Sequence, residues 1–208
     1  METEYNLDLL DNPFKPSDIE WRVQQCGVAN SKPWAMVLAY VTNRAIMARL
    51  DMVFGKLNWQ NEYKEAPNGG VLCGLSVKVG GEWVTKWDGA ENTAIDAVKG
   101  GLSGSMKRTA VQWGIGRYLY NLEVEFANTN TSKLPNWNQG YHKETKTKFF
   151  WQTPQLPKWA LPMATDQEWS DMLAMAKDGK DKAQKVVDLT NANYNLSKIQ
   201  VEELKGCL

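Results

Sequence analysis

Histidine occurs once and cysteine three times in 208 residues, so little of the usual metal and nucleophile chemistry is on offer. Cys26, Cys73 and Cys207 are widely spaced and odd in number, which fits neither a zinc site nor a disulfide framework and points to a reducing cytosol. The lone histidine, His142, falls in a polar stretch, where a surface role is expected. No apolar run approaches the roughly 18–20 residues a membrane span needs. The first eleven residues are acidic and lack a basic start or apolar core, so no secretory leader is expected there. A GxxxxGK[ST] phosphate loop is missing, which removes the usual signature of ATP-driven strand exchange. Asp88 and Glu91, near one bend, are the closest approach to a nuclease's converging carboxylates, and helix capping explains them more simply. Neither an enzyme nor a cofactor is expected.

Excess charge of either sign is also lacking, with 24 basic and 24 acidic residues. The distribution is uneven, however. Residues 1–20 carry one basic and six acidic side chains, whereas residues 21–121 carry twelve basic and seven acidic. Residues 122–165 hold five basic and three acidic, and residues 166–208 six and eight. A basic middle between acidic ends suits a phosphate-bearing partner while limiting non-specific adhesion.

The element pattern is legible from the N-terminus. Asp11–Asp18 carries two prolines and reads as a turn-rich entry, Ile19–Arg22 as the start of a helix or strand, and Gly27–Pro33 as a loop. Met36–Val41 is apolar and suits a strand. Thr42 could cap a helix over Asn43–Phe54 that Gly55 ends, with Asn43, Ile46, Met47, Leu50, Val53 and Phe54 on one face. A meander follows: a strand over Trp59–Glu65, a turn at Pro67–Gly70, a strand over Val71–Val79, a tight turn at Gly80-Gly81 and a strand over Glu82–Asp88. Alternation puts Trp83, Thr85 and Trp87 on one side of the last strand.

Residues 91–113 predict a long helix. At 100° per residue, Ile95, Val98, Leu102, Met106, Thr109, Ala110 and Trp113 fall within about 60° of one line, a core stripe. The opposite side carries Gly100, Gly101 and Gly104, bracketed by Lys107 and Arg108. Each glycine costs a helix roughly 1 kcal/mol against alanine, so three on one surface imply close approach of another backbone. That backbone is either a protein neighbour or a nucleic-acid strand whose phosphates would meet the two cations; packing of a second helix on the glycines is the plainer alternative.

Beyond Gly114-Ile115-Gly116-Arg117 a polar Asn/Thr-rich loop is expected, and then a segment, 137–162, mixing Trp137, Tyr141, Phe149, Phe150, Trp151 and Trp159 with lysines. Rings and cations so interleaved suit unpaired bases and their phosphates, or else the rings fill a satellite core. Three short helices close the chain, over Asp166–Ala176, Lys180–Leu189 and Ser197–Lys205.

Four blocks in order carry a resemblance. They are Ile19-Glu20-Trp21-Arg22; AYVTNRAIMARLDMVFGKLNW from Ala39 to Trp59; Lys86-Trp87-Asp88-Gly89-Ala90; and Met106-Lys107-Arg108 running into WGIGRYLY, Trp113 to Tyr120. Residues 19–122 thereby resemble the DNA-binding domain of the Rad-fifty-two family, especially the shorter phage single-strand annealing proteins of the Sak type. Leu156–Pro162 is similar to the end of the phage version. The resemblance implies an α+β fold, an antiparallel β-meander packed on a long α-helix (a β-β-β-α core), in a ring-forming protomer. It implies ATP-independent binding and annealing of single-stranded DNA in recombination and repair, with phosphates in a basic inner groove formed by Arg22, Tyr40, Lys107 and Arg108. Eukaryotic members place another basic residue one turn further on, where this chain has Val111; Arg117 could stand in for it. Lys78 and Lys86, with Lys146 and Lys148 of the aromatic segment, could form an outer site for an incoming strand, and Lys99 is a further candidate contact.

The expected organisation is an acidic segment over 1–18, an annealing and oligomerisation domain over 19–164 and a small helical module over 165–208. Expected partners are single-stranded DNA, further copies of the chain and, through the C-terminal module, a single-strand-binding protein or nuclease. No membrane partner is expected, and the expected location is the cytoplasm, that of a bacterial host if the chain is phage-encoded. The competing class is a non-catalytic oligomeric scaffold without nucleic-acid binding, which predicts no oligonucleotide binding at any salt. A metal-dependent nuclease would instead cleave labelled DNA when magnesium is added.

Overall fold

A computed structural model describes residues 4–67, 69–92 and 97–208. The chain divides into two compact units. The first comprises residues 1–12, 18–24 and 37–125, and the second 13–17, 25–36 and 126–208.

Two long strands, β1 (Ile19–Ala29) and β2 (Lys32–Val41), form a hairpin that passes from one unit into the other. Asn30 and Ser31 make its turn with φ of 49° and 61°. Two successive left-handed residues give the twist that a two-residue hairpin needs. The loop expected over Gly27–Pro33 is therefore a correction: Gly27 lies inside β1. Its glycine serves packing, because a Cβ there would stand 2.7 Å from the Trp34 indole nitrogen. At the hairpin base the Thr42 N–H donates to the Asp18 carbonyl at 2.9 Å.

Helix α1 (Asn43–Phe54) follows as its signals require. The Thr42 hydroxyl accepts from the Ala45 N–H at 3.2 Å, and Gly55, at φ 78°, ends the helix. Ala45, Ile46, Leu50, Val53 and Phe54 are buried; Met47, expected among them, is exposed. Arg49 ties the N-terminal segment to this helix by donating to the Leu9 and Asn12 carbonyls at 2.6 and 2.8 Å.

Strands β3 (Trp59–Glu65), β4 (Val71–Val79) and β5 (Glu82–Ala90) form an antiparallel sheet in that order. Its register pairs Trp59 with Val77 and Leu75 with Lys86. The third strand runs two residues further than expected. Cys73, Leu75 and Val77 are fully buried. On the other face Trp83, Thr85 and Trp87 lie together; the Thr85 hydroxyl meets that of Ser76 at 2.8 Å, and the Trp87 ring paves Gly74.

Helix α2 (Ala97–Gln112) packs across β4 and β5 and touches α1. The start expected at 91, with Ile95 of the core stripe, falls partly on 93–96, outside the described residues. The rest of the stripe holds at its C-terminal end and fails at its start. Val98 is exposed and Leu102 half-buried, while Ser105, Met106, Thr109 and Ala110 are buried. Buried hydroxyls cost nothing extra here because each finds a carbonyl. Ser105 donates to Leu102 at 3.1 Å, and the single Thr109 hydroxyl proton has two carbonyl acceptors in reach, Ser105 at 2.8 Å and Cys73 of the sheet at 2.9 Å.

In the second unit the expected polar loop contains β6 (Glu125–Ala127), which joins the hairpin in the order β1-β2-β6, and β7 (Thr129–Asn130). Then come β8 (Asn138–His142) and β9 (Thr147–Trp151), in the order β7-β9-β8. Phe149, Phe150 and Trp151 are buried, with Phe149 and Trp151 on one face of β9 and Phe150 on the other, so these rings serve packing. Tyr141 and Trp159 remain exposed.

Helices α3 (Asp166–Ala176), α4 (Lys180–Asn193) and α5 (Lys198–Lys205) pack around Met172, Ala176, Ala183, Val186, Tyr194 and Leu204. Capping boxes start α3 at Thr165/Glu168 and α5 at Ser197/Gln200. Glu168 also accepts from Lys15 and from the Tyr194 hydroxyl, at 2.5 and 3.1 Å. Chiefly through the Lys15 hydrogen bond, its carboxyl is held down at about 2. A carboxylate depressed on folding stabilises fully above its unfolded value near 4.5 and loses that contribution as pH falls toward 2. We therefore expect thermal melts of the second unit to weaken between pH 4.5 and 2, and Glu168→Gln to flatten that part of the profile.

Candidate nucleic-acid interface

The alternation of a strand puts Glu20 and Arg22 on the same side of β1. Tyr40 comes from β2 and Lys107 from the middle of α2, and the fold brings all four together. One oxygen, Glu20 Oε2, accepts from Arg22 Nη2 at 3.2 Å and from Lys107 Nζ at 3.4 Å. The Lys107 ammonium also lies 5.9 Å from the centre of the Tyr40 ring. Three of the four expected inner-groove residues thus meet around a carboxylate that sequence reasoning passed over.

Burial pushes the Lys107 ammonium below its ordinary value; the Arg22 charge adds to this, and Glu20 opposes it. For Glu20 burial pushes the carboxyl up, but the Lys107 charge and the Arg22 hydrogen bond outweigh it and the net direction is down. The side chains of Arg22, Glu20 and Lys107 are 65%, 44% and 16% exposed, so the cluster opens to solvent at its arginine end.

Arg108 goes elsewhere. Its Nε donates to Asp88 Oδ1 on β5 at 3.1 Å, and the same oxygen takes the Gly89 N–H at 2.7 Å. The two adjacent cations of α2 consequently reach different elements, Lys107 the hairpin and Arg108 the sheet. The glycines between them are not a bare strip. A Cβ on Gly101 would stand 2.7 Å from Val71 Cγ2, and one on Gly104 would stand 3.1 Å from the Ala90 Cβ. At Gly101 and Gly104 close approach is made by the chain's own sheet, which corrects the expectation of a nucleic-acid strand or a protein neighbour lying there. Gly100 is half-buried.

The remaining candidate cations do not form one cluster. Lys86 donates to the Gln112 carbonyl at 2.8 Å and covers the Trp113 ring at 4.2 Å. Arg117 donates to the Val111 and Gln112 carbonyls at 3.0 and 2.9 Å. Both cap the C-terminus of α2, where unpaired carbonyls and the helix dipole favour cations. Lys78 pairs in register with Trp83, on the sheet face opposite Lys86. Lys99 is exposed on α2. Lys146 sits in the β8–β9 turn at φ 53°, and Lys148 lies 5.5 Å from the Phe150 ring centre, both in the second unit. Unforeseen from the sequence, Lys64 stands 4.4 Å over the Trp87 ring. Among the described residues no group of histidine, cysteine and carboxylate side chains could hold a metal ion. No helix among them is long and apolar enough to cross a membrane.

Residues 3–138 match the model of the Rad52/22 family of double-strand break repair proteins, which covers the hairpin, α1, the meander and α2. The chain belongs to the Rad52/22 family. It is 31% identical over 146 residues to the single-stranded DNA-binding protein DdrA of Deinococcus radiodurans, spanning 65% of this chain and 68% of that one. The corresponding protein of Deinococcus deserti is 29% identical over 162 residues, 72% of this chain and 73% of its own. No solved structure gives a significant match. The family match ends at the first residue of β8, so the helices α3–α5 lie outside it.

Arg117→Ala removes two hydrogen bonds to the α2 C-terminus, and we expect it to cost about 1 kcal/mol of stability. A urea melt checks this.

Proposed function

We propose that this chain binds single-stranded DNA without sequence preference and anneals complementary strands, using no nucleotide and making no covalent step. The observation that carries the reading is the convergence of Arg22, Tyr40 and Lys107 from three separate elements on one partly open cluster. Phosphates would bind to Arg22 and Lys107 while Tyr40 supports a sugar or the backbone. Arg108, one residue along, meets Asp88 through Nε, and its other guanidinium nitrogens would meet the next stretch of strand. Membership of a double-strand break repair family and the single-stranded DNA-binding names of the Deinococcus relatives support the same reading.

Contacts of this kind neutralise phosphate and read no base, so binding is sequence-blind and falls steeply with salt. With phosphates held, base edges stay free to meet a second strand. Duplex formation then drives the reaction, at on the order of 1.4 kcal/mol per base-pair step. Several protomers in a ring would hold a strand extended over a useful length. The C-terminal helices, outside the family match, would form a separable module that recruits a single-strand-binding protein or a nuclease.

The test is the double variant Arg22→Ala with Lys107→Ala. We expect its affinity for a labelled oligothymidylate to fall roughly tenfold or more and annealing to be lost, since each charged hydrogen bond contributes on the order of 1.5–3 kcal/mol. Circular dichroism and oligomeric size should not change. Unaltered affinity in a folded double variant overturns the interface.

A further inference from the structure

Within the proposed interface an anion is already seated. Glu20 Oε2 is shared between Arg22 Nη2 and Lys107 Nζ at 3.2 and 3.4 Å, the position a strand phosphate oxygen would take to contact both. We infer that Glu20 is a resident stand-in for phosphate, holding Arg22 and Lys107 in register in the free protein and giving up its seat when a polynucleotide arrives. The inference rests on the interface proposed above and concerns its regulation.

Three observations carry it. Lys107 is only 16% exposed, so its charge cannot lean on water alone and needs an anion beside it, particularly with Arg22 as a like-charged neighbour. Glu20 is 44% exposed, so its side chain can turn into solvent and be hydrated there at little cost. Asp88, the comparable partner of Arg108, is different: the oxygen that meets the guanidinium is also fixed by the Gly89 N–H of its own strand. Glu20 is therefore the exchangeable carboxylate of the pair.

Exchange has a consequence for specificity. A single small anion gains little by displacing a carboxylate of equal sign and similar geometry. A phosphate chain that touches further cations in the same event gains more, so the resident carboxylate favours polymers over free anions. It also lowers the number of counterions released on binding, because one of the anions displaced belongs to the protein.

The test compares the full chain with Glu20→Gln, Glu20→Asp, Lys107→Ala and Glu202→Gln by fluorescence anisotropy on a labelled oligothymidylate over a range of salt. Glu202 belongs to an exposed ion pair with Lys205 on α5 and controls for net charge. Glu20→Gln is expected to bind roughly three- to tenfold tighter at low salt, because a strand no longer has to displace the bridging carboxylate, with a salt dependence steeper by about one ion. Glu20→Asp keeps the charge but shortens the reach, and should tighten binding by less; Lys107→Ala should weaken it and Glu202→Gln leave it unchanged. If Lys107→Ala weakens binding while both Glu20 variants leave it unchanged or weaker, the interface stands and the exchange is overturned. Equal tightening by Glu202→Gln reduces the effect to bulk charge and overturns it too. If Lys107→Ala changes nothing, the interface itself fails and the exchange with it.

Discussion

The close seating of α2 on β4 and β5 decides where every charged side chain of that helix can go. Gly101, Gly104, Ser105 and Thr109 give the helix a low-relief side, and the sheet answers with Val71, Ala90 and the Cys73 carbonyl. A larger residue at 101 or 104 would lift the helix off the sheet. With the helix down, its next residue toward the hairpin, Lys107, reaches Glu20, and its next residue toward β5, Arg108, reaches Asp88. At the end of the same helix Lys86 and Arg117 close the free carbonyls and hold the register. Backbone proximity thus comes first, and the charge pattern is laid over it.

That pattern explains how a chain of zero net charge suits a polyanion. Arg22 and Lys107 share the Glu20 carboxylate and Arg108 pairs with Asp88, so two carboxylates offset most of the charge of three cations and the free protein presents no large unbalanced field. On the proposed reading, affinity for a strand would come from replacing the intramolecular Glu20 bridge with phosphate contacts, and not from a uniformly basic surface. Exposed ion pairs are weak singly, which makes such a replacement feasible.

Much of the fold was readable because its local signals agree. Thr42 and Gly55 bound α1, the glycine pair at 80–81 sets the β4–β5 turn, and α3 and α5 begin where capping residues stand. The hairpin was misread since its turn uses Asn30 and Ser31, while Gly27, which looks like a turn residue, exists to admit the Trp34 ring. The α2 stripe was legible at Met106, Thr109 and Ala110 but not at Ser105, since hydrophobic periodicity cannot foresee that a serine is buried by returning its hydroxyl to a carbonyl. Arg22 and Tyr40 came from family resemblance alone and Lys107 also from its place on the helix, and their meeting point depends on contacts spanning 87 residues of chain, from Glu20 to Lys107. Glu20 carries no local signal of its role. Lys86 and Arg117 show the converse, since a cation near a helix C-terminus reads equally as a cap or as a phosphate contact.

The central claim is that an unpaired strand passes over the junction of β1, β2 and α2. A structure of the chain with a bound oligothymidylate tests it most directly. The account predicts a phosphate within hydrogen-bonding distance of Lys107 Nζ and Arg22, with Glu20 turned away toward solvent. A strand lying instead on the Trp83 and Trp87 face of the sheet, with the Glu20 bridge intact, would contradict it.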